Sequence, residues 1–454
     1  MVSDALGSGL FTDLYELTMA QAYYRRSMHG RATFSLFIRK YPPNRAYFVN
    51  AGLENVLTHL EAFRFSEQER AYLQSTGLFS REFLDYLGTL RFRGDVHALP
   101  EGRIFFADEP VLEVTAPIIE AQMVESAVIN RVNLQVMIAT KASRCVYAAR
   151  GRGLVDFSLR RTQGSDAALS VARASYIAGF AGTSNVLAGR LYGIPINGTM
   201  AHSYVTSFER EEDAFRVFAE TFPDHTVLLL DTYDTLSGAR KAVQVGKEML
   251  RQGRSLRGVR LDSGDMAGLS RRVREILREE GLTDTRIFAS GGFDEYEIAR
   301  ALERGAEIDA FGVGTNMGVS ADAPYTDMAY KLVQYDGRPI LKLSEGKESL
   351  VGKKQVFRTW KDGRMIRDTI ALRHEKREGE PLLIPVMKAG RRLGPGEPLT
   401  TLRERFRQEF AGLDERSKAL EKPEGLPVEL SDELSRLQTQ TAREVRQREL
   451  GVCL

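Results

Sequence analysis

The stretch "GVRLDSGDMAGLSRRVREIL" (residues 258–277) decides how the rest of the chain is read. A short apolar run, 258–261, ends in the polar turn Asp262-Ser263-Gly264-Asp265. Beyond the turn Met266, Leu269, Val273, Ile276 and Leu277 recur at the spacing that places them on one face of a helix. The same unit of apolar run, polar turn and amphipathic helix returns repeatedly after residue 150 or so. Its other apolar runs are "GLVDFSL" (153–159), "GIPING" (193–198), "TVLLLDT" (226–232), "RIFASGG" (286–292) and "DAFGVGT" (309–315). Phe215, Phe218 and Phe222 mark one intervening helix, and Leu236, Ala239, Val243 and Leu250 the next. Near-continuous apolar runs alternating with helices predict parallel strands buried on both faces. Six such runs predict a (β/α) barrel, with a doubly wound open sheet as the alternative.

On either side the texture differs. "ATFSLFIRKYP" (32–42), "RAYFVNAGLENVLTHLEAF" (45–63) and the run 94–117 predict short strands and a helix, hence an α+β domain. After about residue 345, the segment 343–373 reads as antiparallel strands, and the charged tail as solvated helices. The expected division is 1–125, 126–345 with the site, and 346–454. The 454 residues carry 63 basic and 61 acidic side chains, so no overall field favours nucleic acid or a membrane surface. Two cysteines, Cys145 and Cys453, exclude a disulfide framework or a Cys-rich zinc site and fit a reducing compartment. The opening "MVSDALGSGL" lacks the basic and apolar regions of a signal peptide, and no apolar run is long enough to span a membrane. The expectation is a cytoplasmic protein.

Chemistry in a (β/α) barrel gathers at the C-terminal ends of the strands. Here those ends carry Arg160 to Gln163, then Asn197, Gly198, Thr199 and His202, then Asp231 to Asp234, then Arg260, Asp262, Ser263 and Asp265. Taken singly, Asp234 and Asp265 read as helix N-caps and His202 as a structural histidine. Their convergence at one end of successive strands reads as a site. The loops "ASGGFD" and "GVGTNMG" follow the last two strands, where such barrels hold a phosphate. Neither fits a P-loop, and no G-x-G-x-x-G opens the first unit. A phosphorylated small molecule is the expected ligand. Asp262 and Asp265 suit sugar hydroxyls or Mg²⁺, and Arg160 and Arg260 suit further anionic groups. The remaining histidines (29, 59, 97, 225 and 374) sit among surface-like or irregular residues without metal-ligand spacing, and Cys145 reads as packing.

Seven segments together resemble the nicotinate phosphoribosyltransferase family. They are "FTDLYELTMAQAY" (11–23), "FSLFIRKYP" (34–42), "DFSLRRTQG" (156–164), "AGTSNVLAGRLYGIPINGTMAHSYV" (181–205), "LLLDTYDT" (228–235), "GVRLDSGD" (258–265) and "DAFGVGTN" (309–316). The resemblance implies an irregular barrel plus an α/β-sandwich domain built from both termini, in a homodimer whose site is shared. It implies condensation of nicotinate with phosphoribosyl pyrophosphate to nicotinate mononucleotide, coupled to ATP through a phosphohistidine, with Mg²⁺. His202 matches the phosphorylated histidine, and Asp231 is the expected orienter of its ring. Tyr15, from the neighbouring subunit, and Phe157 would sandwich the pyridine, with Arg160, Thr199 and Arg260 lining the base. Asp262 would hold the ribose hydroxyls, Gly292, Gly314 and Thr315 the 5′-phosphate, and Arg39 the polyphosphate.

Ser184 stands where amide-using relatives would carry an Asp. A Ser does not repel a carboxylate, so the acid is favoured over the amide. The cysteine-bound zinc of some relatives is not expected with two cysteines. The alternatives are a quinolinate or nicotinamide phosphoribosyltransferase without ATP coupling, a phosphosugar isomerase or aldolase barrel, or an inactive barrel that binds a phosphorylated metabolite.

Overall fold

The computed structural model describes residues 7–343 and 349–451. Cys453, the first six residues and part of the expected strand segment 343–373 lie outside them. The chain divides into two compact units, Thr140–Pro324 and the two flanking stretches 1–139 and 325–454 together. The expected edge at 125/126 coincides with the start of a 24-residue helix, Glu125–Ala148, and the division falls inside that helix.

Residues 140–324 carry a six-stranded parallel sheet. Its strands are β1 (Gly153–Asp156), β2 (Gly182–Thr183), β3 (Val227–Leu229), β4 (Gly258–Leu261), β5 (Arg286–Ala289) and β6 (Ala310–Val313). The pairing order β2-β1-β6-β5-β4-β3 joins the last strand to the first, with Val313 opposite Asp156. A sheet whose last strand pairs with its first curls into a barrel, and the alternative of an open doubly wound sheet is thereby set aside. The ring is interrupted on one side. The expected strand 193–198 shrinks to a single bridge between Ile196 and Thr183, and no strand pairing links it to β3. That bridge consists of Thr183 N donating to Pro195 O and Asn197 N donating to Thr183 O, and Pro195 has no N–H with which to extend the ladder.

The helical stripes bury largely as their spacing predicts. Ala239, Val243, Val273 and Leu277 are in the core, while Phe222 and Leu250 at the helix ends are 49% and 48% exposed. Asp234 caps the helix Thr235–Arg251 by accepting from Ser237 N at 2.8 Å, as its simpler reading has it.

The flanking stretches form the second unit. Its seven-stranded sheet has the N-terminal strands 31–38, 112–117 and 95–98 at its centre, flanked by later strands 328–335 on one side and 384–388 on the other. A four-stranded sheet is built around the hairpin Lys354–Lys361 and Arg364–Leu372. Glu113, fully buried on strand 112–117, accepts from Lys354 Nζ at 3.1 Å and pairs with Arg373. An N-terminal carboxylate therefore ties down the C-terminal hairpin, so the two ends of the chain make one domain. Its core runs through both halves, from Phe34 and Val114 to Val356 and Ile370. His59, expected among surface-like residues, belongs to this core. It is 1% exposed on helix Leu53–Ala62, and its Nδ1 accepts from Gly7 N at 3.2 Å. No helix among the described residues is long and apolar enough to cross a membrane.

Candidate active site

The barrel ladder runs on past the strand ends. Phe157 N donates to Val313 O, Ser184 N to Asp156 O and Ser290 N to Leu261 O, each at 2.8 Å. Leu230 N reaches Arg260 O at 3.0 Å. These bonds hold the first residues of each loop in register, which is why side chains far apart in sequence meet.

Arg260, on β4 with its side chain 13% exposed, is the hub. Its Nε donates to Ser290 Oγ at 2.7 Å, one terminal nitrogen to Thr199 Oγ1 at 3.0 Å and Met200 O at 3.1 Å, and the other to Asp262 Oδ1 at 2.7 Å. The guanidinium lies 5.7 Å above the ring of Phe157. That ring packs against Phe288, and a Cβ at Gly312 would stand 2.7 Å from it, so the strand must carry glycine there. Ser290 Oγ also donates to Asp262 Oδ1 at 2.5 Å. Burial pushes the Asp262 carboxyl up, but Ser290 and Arg260 outweigh it and hold the group below the usual carboxylate range.

His202 begins the short helix His202–Thr206, with its side chain 43% exposed. Its Nε2 lies 3.7 Å from Asp262 Oδ2, and its Nδ1 is 3.2 Å from Thr232 Oγ1. The expected orienter was Asp231. The structure gives that place to its neighbour Thr232, because the Asp231 carboxylate is turned toward the next loop. Asp231 Oδ2 accepts from Asp262 N at 3.1 Å and from Ser263 Oγ at 2.5 Å, while Oδ1 is buried without a hydrogen-bond partner. Asp231 thus fixes the backbone of Asp262 rather than the imidazole.

The glycine loops are shaped by contact. Gly291 has φ +92°, and a Cβ there would lie 2.0 Å from the Asp262 carbonyl oxygen, so no other residue fits. Gly292, at φ +74°, faces open space, and its carbonyl accepts from Asn316 Nδ2 at 3.2 Å, linking the two loops. Thr315 is exposed beside Gly314. One feature departs from expectation. The Tyr296 and Glu297 amides at the start of helix Glu295–Glu303 are already bonded to Asp294 Oδ1, so those two amides are not free for an anion.

Ser184 is half-buried just before Asn185, which caps helix Val186–Tyr192. Arg160 is exposed on the turn Leu159–Arg161. Asp265 pairs with Arg304 at 3.0 Å, turned away from the sugar or metal role considered for it. Two further expected residues belong to the other unit. Arg39 pairs with Asp327 at 2.9 Å, and its Nε is buried without a partner. Tyr15 is 45% exposed, and burial together with the nearby Glu125 carboxylate pushes its phenol up.

Three residues with parts in this network had no assigned role: Thr232, Ser290 and Asp156. The first two already stood among the polar strand ends. Asp156, 1% exposed, accepts from Ser158 N and Oγ and from Thr183 Oγ1, and so shapes the turn that presents Phe157. Only its place at the end of β1 could have pointed to it.

A guanidinium, a carboxylate and a half-exposed imidazole at the mouth of a barrel, with two glycine loops alongside, define a class of enzyme that handles phosphorylated sugars. Comparison with known proteins narrows the class. Family models for the nicotinate phosphoribosyltransferase N-terminal domain, the family core and the C-terminal domain match residues 10–133, 153–361 and 375–438 in order. A nicotinate phosphoribosyltransferase of Mycobacterium tuberculosis is 50% identical over 434 residues, covering 94% of this chain and 93% of that one. The Bacillus subtilis nicotinate phosphoribosyltransferase is 40% identical over 357 residues, covering 77% of this chain and 72% of that one. The crystal structure of human nicotinic acid phosphoribosyltransferase superposes with a TM-score of 0.85 at 28% identity, covering 94% of this chain and 99% of that one. The chain belongs to the nicotinate phosphoribosyltransferase family.

Proposed function

We propose that this protein is a nicotinate phosphoribosyltransferase that makes nicotinate mononucleotide for NAD salvage, with ATP hydrolysis coupled through His202. The observation that carries the reading is the Arg260 hub, which joins Thr199, Ser290 and Asp262 over the Phe157 ring beside His202. Nicotinate stacks on Phe157 with its carboxylate toward Arg260, Thr199 and Arg160, and Ser184 leaves that charge unopposed. The Asp262 carboxylate, kept ionised by its donors, takes the ribose hydroxyls. The loop amides at Gly292 and Gly314 and the Thr315 hydroxyl take the 5′-phosphate. The pyridine nitrogen lone pair then forms the bond to C1′ as the bond from C1′ to pyrophosphate breaks. Arg39 contributes to the polyphosphate, and Tyr15 of a neighbouring subunit closes the other face of the ring in a homodimer.

With the His202 proton on Nδ1, bonded to Thr232 Oγ1, the Nε2 lone pair is free to attack the γ-phosphorus of ATP. ADP leaves, and water later cleaves the phosphohistidine to phosphate. Asp231 Oδ1, buried and unpartnered, and Asp262 Oδ2 are the atoms suited to Mg²⁺. Among the described residues no group of three metal-ligating side chains exists, so the ion's remaining ligands would be water and pyrophosphate oxygens. When bound, Mg²⁺ neutralises charge on the leaving pyrophosphate. The enzyme works in the cytoplasm in this proposal.

The test is to supply phosphoribosyl pyrophosphate and Mg²⁺ with nicotinate, nicotinamide or quinolinate, with and without ATP, and measure the mononucleotide by mass. Nicotinate mononucleotide rising with ATP is expected. A His202→Ala variant should lose coupled ATP hydrolysis while keeping slow transfer. Full coupling in that variant would remove His202 from its role.

A further inference from the structure

We propose that Lys141 is a positioning residue for phosphoribosyl pyrophosphate. Its buried ammonium ties together the segments that follow the two glycine loops, and so sets the gap in which the phosphate is held. The inference rests on reading Gly292, Gly314 and Thr315 as the 5′-phosphate subsite.

Lys141 lies on helix Glu125–Ala148 with its side chain 0% exposed. Its Nζ is 2.5 Å from Glu295 Oε2 and 2.7 Å from Asp322 Oδ1. Glu295 opens the helix that begins three residues after Gly292, and Asp322 follows the turn Thr315–Gly318. One ammonium therefore grips the chain just beyond each loop. Arg144, one helical turn from Lys141, donates from Nε to the second Glu295 oxygen at 2.9 Å and from a terminal nitrogen to Tyr296 OH at 3.2 Å. Both cations lie 5.7 Å from the centre of the Tyr296 ring.

The two cations Lys141 and Arg144 face the carboxylates of Glu295 and Asp322. Cys145, a further titratable neighbour, has its Sγ 4.0 Å from Glu295 Oε2, and burial pushes its thiol up so that it stays neutral. An apolar cluster of the same volume would fill this space without the desolvation cost of buried ions. What directional bonds add is position. Short bonds to an ammonium and a guanidinium allow Glu295 one placement, whereas packed methyl groups tolerate sliding. Because Asn316 bonds the Gly292 carbonyl and Gly291 sits against the Asp262 carbonyl, a shift at Glu295 reaches both loops.

The experiment is steady-state kinetics with melting temperatures on Asp322→Asn, Asp322→Glu and Lys141→Met, with Thr315→Ala as the reference for the subsite. Asp322 is 31% exposed on its side chain, so its variants are the ones expected to fold. Asp322→Asn should raise KM for phosphoribosyl pyrophosphate about 5–10-fold, leaving kcat and the KM for nicotinate within about twofold. Asp322→Glu, which keeps the charge, should restore most of that loss. Lys141→Met, where it folds, should shift the same constant by more. If Thr315→Ala raises this KM and Asp322→Asn does not, the brace is wrong while the subsite stands. If Thr315→Ala leaves it unmoved, subsite and brace both fall. An equal rise in both KM values, or a lower melting temperature alone, would also overturn the proposal.

Discussion

Arg260 and Arg358 are two arginines with nearly the same neighbours and opposite purposes. Each reaches carboxylate oxygens, and each lies over a phenylalanine, Phe157 at 5.7 Å and Phe106 at 5.5 Å. Arg358 is 0% exposed, and its N–H groups go to Asp368, Glu409 and the carbonyl of Ile104. Beside it Glu109 is fully enclosed, and burial, then the nearby Asp368 charge, push its carboxyl well up. That cluster is closed. Arg260 belongs to an open one, with the Asp262 side chain 28% exposed and His202 43% exposed. Asp262 Oδ2 and the His202 ring still have room for a guest. Charged residues that satisfy one another in the dark hold a fold together, whereas the same residues left half-satisfied at a strand end are able to bind.

The sharpest way to break this comparison is Arg358→Met. It leaves Asp368 buried without its cation and Glu409 with Arg103 alone, and should cost about 3–5 kcal/mol by urea denaturation. A loss below about 1 kcal/mol would put the closed cluster in the same class as an exposed pair.

Asp262→Asn should do the reverse. We expect kcat/KM for phosphoribosyl pyrophosphate to fall about 100-fold, equivalent to ~2.7 kcal/mol, with stability changed by less than about 1 kcal/mol. A variant that is destabilised while its kcat/KM is unchanged would erase the distinction.

The histidines repeat the contrast. His59 is enclosed, and burial, with the charge of Arg131, lowers its pKa to about 3. In the unfolded chain it titrates near ~6.5. Between these values the unfolded chain takes up a proton that the folded one refuses. Stability is therefore fully present above the unfolded pKa and falls as pH drops through this window, by at most about 1.4 kcal/mol per pH unit. His59→Gln should flatten that part of the stability curve, measured by urea midpoints from pH 4 to 7.

The smallest effect is expected at Leu250. It lies on a helical stripe but is 48% exposed, so Leu250→Lys should change stability by less than about 0.5 kcal/mol in the same assay.

Much of this was legible before any coordinates. The barrel units announce themselves because a strand buried on both faces must be apolar throughout, and its covering helix must repeat at 3.6 residues. The polar residues of the site stood out because they end such runs. Other features were hidden for physical reasons. The strand at Gly182–Thr183 is two residues long and carries no pattern, and Pro195 reduces its neighbour to one bridge. His59 lies among ordinary helix residues, and nothing local tells a buried imidazole from a wet one.

Local sequence by itself determined most of the barrel's strands and helices and which residues cluster at the strand ends. Those properties depend on spacing along the chain, which is written in the sequence. Tertiary structure alone decided that Thr232 and not Asp231 meets His202, that Asp294 occupies its helix end, and that Lys141 bridges Glu295 and Asp322. Each is a choice among neighbours one or two residues apart, or between partners more than a hundred residues apart. Rotamer direction and packing settle such choices, and neither has a signature in the order of the residues.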